Sequence, residues 1–375
     1  MDPILSYARA RQPEIIAMCR EFVECESPSG NAAAIAGFTA LVTRKTAGFA
    51  RTRKFPGGHV QLEFDLPSGA KDGQILLLGH SDTVYPVGTL KTMPFREADG
   101  RLWGPGVLDM KAGIVLLIFA VRALRELDRP VRRRVVLQLN ADEEVGSDSS
   151  RPLTEHEARR SAAVLVLEPA TGLEGKLKTA RKGVGDYTLT VHGKAAHAGL
   201  DFTEGASAIL ELAKQLEQVA RFTNLDRGIT VSPGVIAGGT RSNVIPAEAH
   251  AEIDVRVVRA ADAGTVDRKF HRLRPFNKSC RLEISGGLNR PPMERTAGTV
   301  RLFEAAQKIA ADMGIELEES LSGGGSDGNF TSAVGAATLD GLGAVGEGAH
   351  AAHESILVNR IADRTALIAG LLQAL

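Results

Sequence analysis

The sequence is poor in cysteine. Cys19, Cys25 and Cys280 are odd in number and far apart, so they build neither a disulfide framework nor a paired CxxC metal site. Charge of one sign is not in excess either. Lys plus Arg (45) balance Asp plus Glu (45), and the positive field that would hold a nucleic-acid backbone or an anionic membrane surface is missing. Nucleic acid and membrane are therefore not expected partners, and a small molecule or peptide becomes the default. Long hydrophobic runs are also lacking. The longest, residues 112–121 between Lys111 and Arg122, is about half of the ~20 residues that span a bilayer and reads as a buried helix. The opening MDPILSYARARQPEII has no basic region followed by an apolar stretch and a small-residue cleavage site. With so few cysteines, a cytoplasmic location is the expectation.

What is present is a chain of 375 residues, 43% hydrophobic and 24% charged, long enough for two or three domains at roughly 150 residues each. Residues 1–180 alternate short apolar runs with longer helical patterns, the mark of an α/β sheet covered by helices. The runs at 75–78, 135–139 and 163–167 each end in acids or a histidine. From residue 181 the pattern changes to strand (186–192), helix (206–219), strand (229–236), strand (247–257), helix (261–273) and strand (280–285). That is the ferredoxin-like, split βαβ order, and it predicts an inserted α+β domain over 181–289. The Asn289-Arg290-Pro291-Pro292 joint is sharply non-helical, and the first domain is expected to resume over 290–375.

In open α/β sheets ligands bind outside the carboxyl ends of strands, so residues just past successive strands share one crevice. His80 and Asp82 follow the first run, Glu143 and Glu144 the second, Glu168 the third, and Asp109 follows the Gly-rich turn Trp103-Gly-Pro-Gly106. Five carboxylates and an imidazole so placed would repel and desolvate one another unless a cation favoured their charged forms. Mixed imidazole and carboxylate donors suit zinc, with cobalt or manganese as substitutes. The number of acids fits two ions bridged by a carboxylate better than one tetrahedral ion.

The strings GHSDTVYPVG (79–88), WGPGVLDMKAG (103–113), ADEEVGS (141–147), LEPA (167–170), GKAAHAG (193–199), SNVIPAEA (242–249) and GGGSDGNF (323–330) together resemble the dinuclear zinc exopeptidases. That family includes glutamate carboxypeptidases, acetylornithine deacetylases, succinyl-diaminopimelate desuccinylases and aminoacylases. The motifs stand in family order over nearly the whole chain.

The resemblance implies a zinc exopeptidase-like sheet with an inserted dimerisation or lid domain, and it implies roles. His80 would bind one of two zinc ions, Asp109 would bridge both, and Glu144 and Glu168 would each bind one, while Asp82 orients His80. Glu143 would be the general base. The Asp109–Met110 peptide is expected to be cis. Gly348-Ala-His350-Ala-Ala-His353-Glu354 offers two histidines, and the family's four-residue spacing to a glutamate selects His350 as the last ligand, with His353 at the rim. His197 would stabilise the oxyanion, often from the partner subunit, so a homodimer through the inserted domain is expected. Asn243 belongs with it. Arg256 and Arg290 are candidate anchors for a substrate carboxylate, and Gly324 lies in the loop that would line the same pocket.

The expected activity is hydrolysis of an amide or peptide bond next to a free carboxylate, with GHSDTVYPVG and the Asn289-Arg290-Pro291 joint most similar to the glutamate carboxypeptidase branch. The runner-up is an N-acyl amino acid deacylase using the same machinery. A non-catalytic dimeric binding protein is the rival from another class, and the presence of every ligand position and of Glu143 argues against it.

Overall fold

The three apolar runs become neighbouring strands of one mixed sheet in the computed structural model, which describes residues 2–67 and 72–375. Its strands are β1 (Ala50–Lys54), β2 (Val60–Phe64), β3 (Gln74–His80), β4 (Arg134–Asn140) and β5 (Ser161–Val166), with the short strand Thr338–Leu339 at one edge. Their order is β1, β2, β4, β3, β5, then 338–339. β3 runs parallel to both β4 and β5, whereas β2 is antiparallel to β1 and β4.

Alternation along these strands assigns their side chains to two cores. Ile75, Leu77, Val135, Leu137, Leu139, Ala163 and Leu165 point to one face. There they meet helices α1 (Pro3–Ala10), α2 (Gln12–Glu24), α3 (Ala32–Thr46) and α4 (Ala112–Glu126) and the terminal helix Ile361–Ala374. Leu76, Leu78, Val136, Val164 and Val166 point to the other, against Ala158 of α5 (Arg151–Arg159). With both faces covered, β3 reads as an unbroken apolar run, as a buried parallel strand must. Each fully buried Leu or Ile contributes roughly 1.5–3 kcal/mol relative to exposure. α4 carries the apolar run 112–121, every residue of which is buried.

The chain divides into two compact units. Unit 1 comprises Met1–Ala180, Arg295–Ser322 and Ser326–Leu375; unit 2 comprises Arg181–Glu294 and Gly323–Gly325. Unit 2 has its own four-stranded antiparallel sheet: β6 (Gly183–His192), β7 (Thr230–Gly238), β8 (Glu248–Val257) and β9 (Arg281–Arg290), in the order β7, β8, β6, β9. Helix α6 (Ala208–Ala220) connects β6 to β7, and α7 (Ala260–His271) connects β8 to β9. A separate core holds it together, with Tyr187 stacked on Phe270 at 4.0 Å between ring centres. β7 is an edge strand, and Val235 and Ile236 on it are 48% and 61% exposed.

Candidate metal centre

In unit 1 the register places His80 opposite Asn140 and Leu78 opposite Val166, so the segments that follow β3, β4 and β5 leave the sheet at one edge. His80 is the last residue of β3, Glu143 and Glu144 sit in the turn after β4, and Glu168 follows β5. Asp109 comes from the irregular turn Val107–Lys111 that leads into α4, and its peptide bond to Met110 is cis.

Asp109 stands between two groups of donors. Its Oδ1 is 3.0 Å from His80 Nε2, which is itself 3.6 Å from Glu168 Oε1. Its Oδ2 is 3.4 Å from His350 Nε2, which is 3.1 Å from Glu144 Oε2. His80, Asp109 and Glu168 form one set whose ligand atoms all lie within 4.8 Å of one another, and Asp109, Glu144 and His350 form the other. One carboxylate thus presents one oxygen to each set. His353 belongs to neither.

The electrostatics follow from this crowding. Burial opposes charge on His80, but hydrogen bonds to Asp109 and Asp82 outweigh it and hold the imidazole well above its ordinary value. Hydrogen bonds to Asp109 and Glu144 raise half-exposed His350 to about 10. Burial pushes Asp109 up, yet His350 and His80 hold it far below the usual carboxylate range. Asp109 is thereby kept ionised, as a carboxylate ligand for a hard or borderline cation must be.

Other groups hold these side chains in place. His80 Nδ1 donates to the Asp82 backbone carbonyl at 2.9 Å, with the Asp82 carboxylate farther off at 3.5 Å. Nε2 is thereby left facing Asp109 and Glu168. The Asp82 carboxylate does something the sequence did not indicate: it accepts the backbone N–H of Glu143 (3.3 Å) and of Glu144 (3.2 Å), and the Ser29 hydroxyl at 2.8 Å. Glu354, fully buried, accepts the backbone N–H groups of Gly106, Leu108 and Asp109 at 3.0, 2.7 and 3.0 Å. Tyr85 donates its phenol to the Ala351 carbonyl at 3.1 Å, pinning the loop that carries His350. Glu354 and Tyr85 both lie inside strings already singled out, Glu354 as the end of the histidine spacing and Tyr85 within GHSDTVYPVG.

Two observations test the donor set against a cation. Glu144 Oε1 is buried and has no hydrogen-bond partner among the described residues, an arrangement that costs free energy unless something positive meets it. Lys111, next but one to Asp109, gives its ammonium to the Cys25 carbonyl at 2.7 Å. Two imidazoles and three carboxylates, one of them between the sets, fit two divalent ions.

The remaining predicted residues lie in unit 2. His197 is exposed on a two-residue strand, and its Nδ1 accepts the N–H groups of Gly199 and Leu200, both at 3.1 Å, which puts the ring proton on Nε2. The Asn243 carbonyl accepts the Ala198 N–H at 3.0 Å, tying it to the His197 loop. Arg256 is engaged in a two-pronged ion pair with Asp254, with contacts at 2.7–3.0 Å. Arg290 is buried at the end of β9, and its Cδ would lie 2.7 Å from a Cβ at Gly325. The carbonyls of Gly324 and Gly325 accept from Arg181 at 3.1 and 3.0 Å.

Comparison with known proteins places the chain in a family. Carboxypeptidase G2 of a Pseudomonas species (strain RS-16) is 29% identical over 355 residues, covering 92% of this chain and 84% of that protein. Succinyl-diaminopimelate desuccinylase of Acidovorax ebreus is 29% identical over 69% of this chain and 70% of its own length. Among solved structures, the aminopeptidase PepT of Bacillus cereus superposes with a TM-score of 0.83 at 20% identity, over 96% of this chain and 98% of that one, and so shares the fold. Residues 76–374 match the family model of peptidase family M20/M25/M40. That span holds both donor sets, from His80 to His350, and the chain accordingly belongs to peptidase family M20/M25/M40 as a metal-dependent hydrolytic enzyme.

Proposed function

We propose that the protein is a di-zinc carboxypeptidase that cleaves a peptide or amide bond next to a free carboxylate and releases a C-terminal amino acid such as glutamate. The observation that carries this reading is Asp109, whose two carboxylate oxygens face two separate pairs of ligands, His80 with Glu168 and Glu144 with His350. When bound there, two zinc ions would polarise the scissile carbonyl and lower the pKa of water. Glu143 takes the proton from the attacking water and returns it to the leaving nitrogen. The Asp82 carboxylate fixes Glu143 by its backbone N–H while the Asp82 carbonyl fixes His80, so the base and a ligand share one support. By the family resemblance, His197, with its proton on Nε2, would serve as oxyanion donor, often for the partner subunit's site, and Arg290 and the Gly324 loop as anchors for the substrate carboxylate.

Glutamate as the released residue rests on the likeness of the 79–88 string and the 289–291 joint to glutamate carboxypeptidases. The match to a carboxypeptidase over 92% of the chain supports the branch. A second reading, N-acyl amino acid deacylase, is supported by the match to a desuccinylase at the same 29% identity. A homodimer through unit 2 is supported by β7, whose exposed Val235 and Ile236 lie on a sheet edge that another strand could extend.

The test is product release, followed by mass spectrometry, from zinc-loaded protein offered dipeptides ending in glutamate, folyl-type glutamates, and N-acetyl and N-succinyl amino acids. Glutamate release that disappears in Glu143→Ala supports the carboxypeptidase reading. Deacylation without peptidase activity selects the second reading. A protein that is monomeric at assay concentration and fully active rules out delivery of His197 across subunits.

A further inference from the structure

The turn between β1 and β2 ends in a histidine that the metal centre does not use. His59 is buried, 2% exposed, and lies against the loop that carries Glu143 and Glu144. Its Nδ1 accepts the Ala141 backbone N–H at 3.1 Å, and its Nε2 is 3.0 Å from Ser149 Oγ. Ser149 Oγ donates in turn to Asp142 Oδ2 at 2.7 Å, and the same oxygen accepts the backbone N–H groups of Ser149 (2.8 Å) and Ser150 (3.2 Å). Both ends of the loop are therefore fastened to one imidazole, directly at Ala141 and through Ser149 and Asp142 beyond it.

The direction of each bond follows from chemistry. A backbone N–H can only donate, so Nδ1 is the bare nitrogen and Nε2 carries the proton. Nε2–H then donates to Ser149, and the Ser149 hydroxyl donates onward to Asp142. A histidine, serine and aspartate in contact invite comparison with a hydrolase triad, and this order rejects it. A catalytic serine must give its proton to a bare imidazole nitrogen, whereas here the imidazole is the donor and the serine proton goes to the carboxylate.

We infer that His59 is a positioning residue for the Glu143–Glu144 turn, acting through Ala141 on one side and the Ser149–Asp142 link on the other. The inference rests on the roles proposed above for Glu143 and Glu144. Two features make the clamp stiff. Asp142 Oδ1 is buried with no hydrogen-bond partner among the described residues, so three donors converge on Oδ2 alone. Gly57, in the left-handed region at φ 82°, leaves no room for a side chain: a Cβ there would fall 2.6 Å from His59 Nε2 and 3.2 Å from Ser149 Oγ. Loss of the imidazole frees one buried N–H and releases the serine from its second partner, while Glu143 and Glu144 keep their bonds to Asp82. The effect falls on the precision of the turn, where a displacement of about 1 Å is enough to cost roughly 100-fold in rate.

The experiment compares wild type, His59→Ala, His59→Asn and Ser149→Ala, all loaded with Co2+, by amide hydrogen exchange, visible-band Co2+ titration and steady-state kinetics. Asparagine places an amide oxygen where Nδ1 stood and can still accept the Ala141 N–H. Ser149 is exposed, so its truncation cuts the link without opening a core cavity. Exchange at 141–150 should accelerate about tenfold or more in His59→Ala, on the scale of one lost buried hydrogen bond, with protection of β3 and β5 unchanged. His59→Asn should restore most of the protection near Ala141, and kcat should fall in His59→Ala with KM held. Unchanged exchange at 141–150 in both truncations, or acceleration spread evenly through the sheet, overturns the assignment. Wild type that binds no Co2+ and turns over no substrate defeats the proposed function instead, and the exchange comparison still reads the clamp.

Discussion

Glu354 and Asp109 are 245 residues apart in sequence, and Glu354 Oε1 accepts the Asp109 backbone N–H at 3.0 Å. The same carboxylate takes the N–H groups of Leu108 and Gly106, so one buried acid organises the turn that aims Asp109 at both donor sets. Burial pushes its pKa up, and these N–H groups with the Tyr85 phenol pull against that. Glu354→Gln keeps the volume but replaces one accepting oxygen with a donating amide that meets N–H groups head on. Cation affinity should fall by about 10–100-fold, as for lost supports of metal ligands. A Co2+ titration followed by visible absorption measures it, and unaltered affinity would show that Asp109 needs no such hold.

Glu143 is next to a predicted ligand but belongs to neither donor set. Glu143→Gln should leave cation stoichiometry as it is and lower kcat by about 10²–10⁴, the range for removing a general acid-base group. Metal analysis of the purified variant beside its kinetics separates the two effects. Loss of a metal ion from the variant would reassign Glu143 as a ligand.

The raised histidines predict proton release on metal uptake. With His350 at about 10 and His80 well above its ordinary value, both are protonated at neutral pH in chelator-treated protein, and a cation must displace those protons. Calorimetric titration in two buffers of different ionisation enthalpy should give about two protons released per chain on full loading. Stability without metal has the opposite dependence. His350 has a folded-state value above its unfolded 6.5, so its contribution is complete below pH 6.5 and is lost as pH rises through about 10. Thermal unfolding of the chelator-treated protein across pH 6–10 should show that decline, and His350→Ala should flatten it.

The strand-end rule singles out three candidate ligands, His80, Glu144 and Glu168, because it needs only strand positions, and β3, β4 and β5 announce themselves as apolar runs. His80, Glu144 and Glu168 then meet because the register of three parallel strands leaves no other arrangement. The supports were not legible for a different reason. Glu354 and His59 act on backbone N–H groups remote in sequence, and no local pattern marks the acceptor of a distant amide. The Asp82 carbonyl, closer to His80 Nδ1 than the carboxylate is, leaves no trace in residue type. Arg256 could have been read more fully: the period of two on β8 puts Asp254 on its side of the strand, and the two are ion-paired.

Glu168 depends on two glycines that let backbone approach its own segment. A Cβ at Gly113, in α4, would run into the Leu167 carbonyl oxygen; one at Gly343 would meet the same oxygen and lie 2.8 Å from the Glu168 carbonyl. Propensity alone favours Gly113→Ala, by less than the ~1 kcal/mol of a helix interior because Gly113 lies in the first turn of α4. The obstacle is backbone, which cannot swing aside as a side-chain tip can, so overpacking of about 1–3 kcal/mol should outweigh that gain. Gly343→Ala, with two carbonyls in the way, should be the more destabilising. Gly37 in α3 supplies the control, since nothing lies within 4 Å of its added Cβ, and Gly37→Ala should stabilise. Denaturant unfolding of the three variants gives the order, and a Co2+ titration tells whether Glu168 has moved: weaker binding is expected in Gly113→Ala and Gly343→Ala, with Gly37→Ala unaffected. If Gly113→Ala proves as stable as wild type, the Leu167 carbonyl yields more easily than the packing implies, and the close approach is not what fixes Glu168.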